Sequence, residues 1–225
     1  NCFVSNFYQL SSGYKVTEFQ ELDSTMFKLK DMAAAGCEMN TVVRAIRQKK
    51  GRGRYGRDWI SPEGNLYFSF LREAELKKDS NIFVPVFIVA LSVAYTIIEI
   101  SKNSILPSIK WPNDILINKS KVAGILIENI NMNDNKDLLN IGVGINIISN
   151  PIETIYPSTN LKKENINVNP KSVLDVFFNN FLRLEKVYKI KGANEVFNMW
   201  SDLGHKIGDE VSVRIGEKTI SGIFN

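Results

Sequence analysis

Apolar positions change their period several times along the 225-residue chain, and the changes outline an α/β fold. Val16 to Leu22 is predicted to be a strand. Ser24 then stands where a helix N-cap is favoured, and Met26 to Ala35 is helical up to the stop at Gly36. Thr41 to Arg47 is the next strand, followed by a polar loop over Gln48 to Asn65 and a strand over Leu66 to Leu71. Ile82 to Ile100 is expected to be a helix buried on most of its surface. Three β-rich runs follow: Ile109 to Ile117 around a turn at Pro112, Lys121 to Ile130, and Leu138 to Ile147. The last two read as a hairpin joined by the loop Asn131 to Asp137. Past an irregular stretch rich in Asn and Pro, Val173, Val176, Phe177, Phe181 and Leu184 share one face of a helix over Ser172 to Ile190. A second helix covers Ala193 to Leu203. The tail from Lys206 to Asn225 switches to period two at Val211, Val213 and Ile215 and predicts a small β appendage.

No fixed-period repeat and no Pro/Gly/Ser linker divides this pattern. One main domain over residues 1–203 and a β appendage over 204–225 are therefore expected, the appendage ending so abruptly that it reads as incomplete. An apolar share of 44% against 23% charged residues indicates a globular protein, not a disordered one. The formal charge of +4 admits an anionic ligand without singling out nucleic acid.

Ile82 to Ile98 runs for seventeen residues without a charge, close to the lower limit for a transmembrane helix. Pro85, Ser92, Thr96 and the lack of a basic flank favour a helix packed on a sheet instead. The amino terminus lacks the basic segment and long apolar core of a signal peptide, so a cytoplasmic protein is expected. Cys2 and Cys37 are too few for a disulfide framework and are expected to be unreactive or buried thiols. With His205 the sole histidine, a multi-histidine metal site is excluded and a Ser-His-Asp triad would have to run through that residue alone.

Gly51 to Gly56, GRGRYG, matches the dinucleotide fingerprint GxGxxG and follows a strand. It fails on context, because the fingerprint should open a helix and this segment runs through Pro62 and Gly64 into another strand. What remains is a loop whose glycines admit close backbone approach and whose Arg52, Arg54 and Arg57 suit carboxylate and phosphate. Three arginines this close repel one another unless an anion is shared. A solvated basic loop is the alternative, and so is a nucleic-acid arm in which Lys49 and Lys50 extend the charge and Tyr55 and Trp59 stack on bases.

Lys110 to Asp114, KWPND, sets a cation, a ring, a rigid turn and two short polar groups at the end of a strand, although Asn and Asp also serve ordinary turns. Lys121 opens KVAGILIE, with Gly124 allowing close approach of backbone or ligand.

Together with GVGIN at Gly142, these motifs occur in the order and spacing of biotin protein ligases, which the chain resembles from Asp23 to Asn146 and more weakly beyond. Asp23, Ser24 and Thr25 match the family's first biotin-binding turn, and Gln48 lies three residues before the Gly/Arg loop as in that family. The resemblance implies an α/β (α+β) fold: a mixed-sheet catalytic domain and a small SH3-like β domain. It implies a ligase that joins biotin to ATP, giving biotinyl-5'-AMP and pyrophosphate, and then passes the acyl group to one lysine of a biotin carboxyl carrier protein.

By the same resemblance Ser24, Thr25, Met26, Gln48, Arg52, Gly53, Arg54, Lys121 and Gly124 are expected around biotin. Arg54, Arg57, Trp59, Asn113, Asp114, Lys121 and Asn146 are expected around ATP or the adenylate, with Trp59 over the adenine. Arg54, Lys121 and Lys110 are the expected catalytic groups. ATP is expected as its Mg2+ complex, biotin as substrate, and neither a permanent cofactor nor a protein-only metal site is implied.

Two departures stand out. Met26 occupies a position where the family commonly has Asn, and Lys49 and Lys50 replace a small or neutral pair, adding charge beside the loop. Only twenty-two residues precede Asp23, too few for the helix-turn-helix domain of some family members, so a ligase without repressor function is expected. Neither nucleic acid nor membrane is an expected partner, and a homodimer is a possible assembly. A lipoate or octanoate transferase, which shares the fold but not the arginine-rich loop, is the nearest rival.

Overall fold

In a computed structural model, the described residues are 3–74, 83–131, 137–152, 156–206, 208–215 and 218–224, without the side chains of 131, 213–215 and 218. Cys2, Ile82, the interior of the expected 131–137 loop, and the side chains of Val213 and Ile215 lie outside them.

Eight strands form one sheet: β1 (Val4–Gln9), β2 (Lys15–Leu22), β3 (Thr41–Gln48), β4 (Leu66–Glu73), β5 (Ser108–Lys110), β6 (Asp114–Ile117), β7 (Ser120–Asn131) and β8 (Asp137–Ile145). Their spatial order is β1-β2-β3-β4-β8-β7-β6-β5. β2 and β3 are parallel, and every other neighbouring pair in this sheet is antiparallel. The helices are α1 (Thr25–Ala34), α2 (Val84–Ile100), α3 (Pro170–Lys191) and α4 (Ala193–Leu203).

Alternation along the strands builds a core on each face. Val42, Phe68, Phe70, Ile141, Val143 and Ile145 point to the side covered by α2, α3 and α4. Val43, Ala45 and Leu71 meet Leu29 and Ala33 of α1 on the other. One residue of slip in β3 or β4 would exchange the two sets, so the register is strongly specified. Each such fully buried aliphatic or aromatic side chain contributes roughly 1.5–3 kcal/mol. α2 is buried at eleven of its positions, from Val84 to Ile97, which accounts for its nearly uninterrupted apolar sequence. Among the described residues no helix is long and apolar enough to cross a membrane.

Most expected elements fall within two residues of their observed limits. The Ile109–Ile117 run splits into β5 and β6, paired as a hairpin across a turn that contains the cis Trp111–Pro112 peptide. β1 had no counterpart in the sequence reading. It is an edge strand exposed at five of its six positions, so no buried face imposes a period on its residues. β9 (Glu210–Ile215) and β10 (Lys218–Ile223) form the two-stranded antiparallel appendage. Phe224 at its end stacks on Phe197 of α4, at 6.4 Å between centroids, and joins the main core.

α1 packs chiefly on β3, β4 and β8 on its side of the sheet. Farther along, the loop between β3 and β4 sets Trp59 against Gly124 of β7 and Gly144 of β8.

Candidate active site

The parallel β2–β3 pair places the ends of both strands on one rim, the position at which open α/β sheets bind ligands. Ser24 caps α1 there, its hydroxyl accepting from the Met26 N–H at 3.3 Å. Gln48 closes β3 and locks the turn: its Oε1 accepts from the Thr25 N–H at 2.8 Å and its Nε2 donates to Ser61 Oγ at 2.9 Å. Thr25 Oγ1 and Ser69 Oγ are 2.7 Å apart beneath. Met26 is buried, and its backbone carbonyl accepts from Asn140 Nδ2 at 2.9 Å.

The Gly51–Trp59 segment is a folded hairpin, not an open loop. Gly53 N–H donates to the Arg57 carbonyl at 2.7 Å and Trp59 N–H to the Gly51 carbonyl at 2.8 Å. A 3-10 turn spans Arg54–Gly56, with Tyr55 in the left-handed region at φ 58°. The three arginines line one cavity but have different partners. Arg52 pairs with Glu128 at 2.7 Å, whereas Arg54 reaches Asn113 Oδ1 at 3.4 Å and the Tyr55 hydroxyl at 2.9 Å, and Arg57 lines the cavity.

Lys49 and Lys50 each have a carboxylate partner, although Glu21 is shared with Arg47. Lys49 pairs with Glu21 at 2.7 Å and Lys50 with Asp23 at 3.0 Å. The hydrogen bond from Lys49 holds the Glu21 carboxyl below its ordinary range, and Glu21 in turn raises Lys49. These exposed pairs at the ends of β2 and β3 moderate the positive charge beside the hairpin without removing it.

Gly124 on β7 and Gly144 on β8 are opposite one another in register and make a flat stretch of sheet on which Trp59 lies. A methyl group at Gly144 would fall 2.6 Å from the Trp59 indole, and one at Gly124 2.8 Å, so only glycine admits the ring at both places. Lys121 Nζ stands 5.1 Å from the Trp59 ring centroid and 2.6 Å from Asp114 Oδ1. Asn113 ties the KWPND turn to β7, its Nδ2 donating to the Ile125 carbonyl while the Ile125 N–H donates to its own carbonyl, both at 3.0 Å. Lys110 Nζ lies 4.5 Å from the Tyr156 ring centroid.

One cavity is lined by Ser24, Thr25, Met26, Gln48, Arg52, Gly53, Arg54, Arg57, Trp59, Lys110, Asn113, Asp114, Lys121 and Gly124. Asn146 lines an adjoining cavity that shares Arg57, Trp59, Asp114, Lys121 and Tyr156 with the first. Its Nδ2 donates to the Thr159 carbonyl at 3.1 Å, and its buried Oδ1 has no protein partner.

Tyr156 and Ser212 also line the main cavity and were not singled out by sequence. Tyr156 belongs to the irregular segment after β8, and Ser212 to the appendage, so neither carries a motif. Glu128 lies inside the quoted KVAGILIE, but nothing local marks it as a partner of Arg52. His205 packs beside Trp200 and Phe224, away from the cavity. Among the described residues no group of three or more His, Cys, Asp or Glu is arranged to hold a metal ion.

A rim of cations over a glycine floor, with an indole ring against that floor, lies on a mixed sheet of the kind found in acyl ligases. The chain belongs to the biotin/lipoate A/B protein ligase family, whose model matches residues 16–146. It is 28% identical over 200 residues to a biotin–acetyl-CoA-carboxylase ligase of Paracoccus denitrificans, covering 85% of this chain and 82% of that protein. Its fold is similar to the biotin protein ligase of Aquifex aeolicus in complex with biotin and ATP, at 33% identity and a TM-score of 0.76 over 92% of this chain and 85% of that one. The Leishmania major biotin protein ligase in complex with biotinyl-5-AMP is similar at 25% identity, with a TM-score of 0.69 over 90% and 91% of the two chains.

Proposed function

We propose that the chain is a biotin protein ligase: it forms biotinyl-5'-AMP from biotin and Mg–ATP and transfers the biotinyl group to a lysine of a biotin carboxyl carrier protein. The observation that carries this reading is the convergence of Arg54, Lys110 and Lys121 on one cavity whose polar end is built by Ser24, Thr25 and Gln48. Attack of a carboxylate on an α-phosphate brings two anions together, and fixed cations lower that barrier by positioning and charge neutralisation. Lys121 holds the carboxylate, Arg54 the reacting phosphate, and Lys110 with Asn113 and Asp114 surrounds the phosphates and the incoming lysine.

Ser24, Thr25, Met26, Gln48, Arg52, Gly53 and Gly124 make up the biotin end. Its hydroxyl and amide groups suit a ureido ring, and Met26 offers an apolar surface where a polar contact was expected. Trp59, Arg57 and Asn146 serve the nucleotide end, the adenine lying against the indole. The partner is the carrier domain of a carboxylase, and the two cysteines support a cytoplasmic location. Residues 204–225 are assigned to an SH3-like domain, of which the β9–β10 pair is described. A homodimer fits this reading, supported by the exposed edge of β1 with Val4 and Phe7; monomer mass throughout a sedimentation series would exclude it.

ATP–pyrophosphate exchange, with biotin, lipoate and octanoate supplied in turn, tests the substrate. Exchange driven by biotin is expected. Exchange with lipoate but not biotin would overturn the assignment.

A further inference from the structure

We propose that Glu128 is a positioning residue for this reaction, latching the front of the Gly51–Trp59 hairpin over the acyl end of the cavity through Arg52. The proposal rests on the reading that Arg52 belongs to the biotin end. Glu128 meets the guanidinium with both oxygens, Oε1 to Nη2 at 2.7 Å and Oε2 to Nη1 at 3.1 Å. On α1, the Phe27 ring centroid lies 4.9 Å from the same guanidinium. One side chain of the hairpin is thus held by a carboxylate from β7 and a ring from α1.

Arg52 transmits that hold to the whole hairpin, since it is bridged to Asp58 across the hairpin and Gly53 is bonded to Arg57. The anchor is firm, because Glu128 is paired in register with Asn140 of β8, whose amide secures Met26. The side chains of Arg52 and Glu128 are 35% and 37% exposed. Water therefore weakens this pair more than the buried pair of Arg72 and Glu185, at 8% and 14% exposure.

Glu128 also cancels the charge of Arg52. With Arg52 paired, the acyl end presents chiefly hydrogen-bond donors, which fits an uncharged ring, and Arg54 brings positive charge toward the reacting centre.

Glu128→Gln keeps the shape and removes the charge. In the full chain, hydrogen exchange at the Gly53 and Trp59 amides should accelerate about threefold to tenfold, as expected for losing a two-pronged but exposed ion pair. Biotinyl-adenylate should escape faster by a similar factor and the KM for biotin should rise, while kcat at saturating biotin changes less than about twofold. Raising salt to about 0.5 M should bring the wild type toward the variant.

Unchanged amide exchange overturns the latch. Faster exchange with unchanged adenylate escape overturns its role in the reaction, and so does an equal loss in kcat and kcat/KM with KM unaltered. A wild-type protein that makes no adenylate from biotin would overturn the functional reading instead, and the amide exchange would still decide the latch.

Discussion

Lys121 Nζ and Asp114 Oδ1 stand 2.6 Å apart at the foot of the cavity, joining the start of β7 to the KWPND turn. The pair keeps an extended lysine stem across the strands and aims its ammonium at the cavity. Lys121→Ala should abolish the first half-reaction, with pyrophosphate exchange falling at least about 100-fold, the scale for losing a preorganised charge at a reacting oxyanion. Because both side chains are about a quarter exposed, stability should fall by less than about 1 kcal/mol. Normal adenylate formation by this variant would contradict the role given to Lys121.

Arg54 bridges the hairpin and Asn113, reaching the Asn113 Oδ1 at 3.4 Å. Arg54→Ala should slow adenylation about 100-fold and speed escape of the adenylate. A loop position of this kind should cost no more than about 0.5 kcal/mol in urea denaturation. An unchanged exchange rate would remove Arg54 from the catalytic set.

Gly144→Ala places a methyl group 2.6 Å from Trp59 with backbone conformation unrestricted, so the indole must move. The expected outcome is a weaker KM for ATP, by about tenfold, and a shifted tryptophan emission, with the KM for biotin less affected. Equal effects on both substrates would show that the ring does not separate the two ends of the cavity.

Cys37, half-buried beyond the end of α1, has its thiol pushed up chiefly by desolvation. A raised thiol pKa means less thiolate at any given pH. Alkylation of Cys37, followed by peptide mapping to distinguish it from Cys2, should therefore be slower near neutrality than for a free thiol, with its midpoint displaced to higher pH. A midpoint below that of a free thiol would reverse this assignment.

The buried elements were the readable ones. α2 announces itself by apolar residues on all sides, and Ser24 and Gly36 mark the ends of α1 because capping and left-handed backbone need those residue types. β1 was unreadable because an edge strand with open faces imposes no period. The cavity followed the same division: Arg54, Lys110, Lys121 and Gly124 sit in short sequence motifs and line one cavity. Tyr156, Ser212 and Glu128 reach the site only through tertiary placement, and the partners of Lys49 and Lys50, Glu21 and Asp23, are brought near by the parallel β2–β3 pairing.

That pairing also obliges α1 to run from one rim of the sheet to the other. Its ten residues span about 15 Å, so Ser24 and Cys37 lie at opposite ends of a rigid rod. A fluorophore attached at Cys37 would be a fixed observer of the cavity, close enough for energy transfer from a labelled nucleotide and too far to touch it.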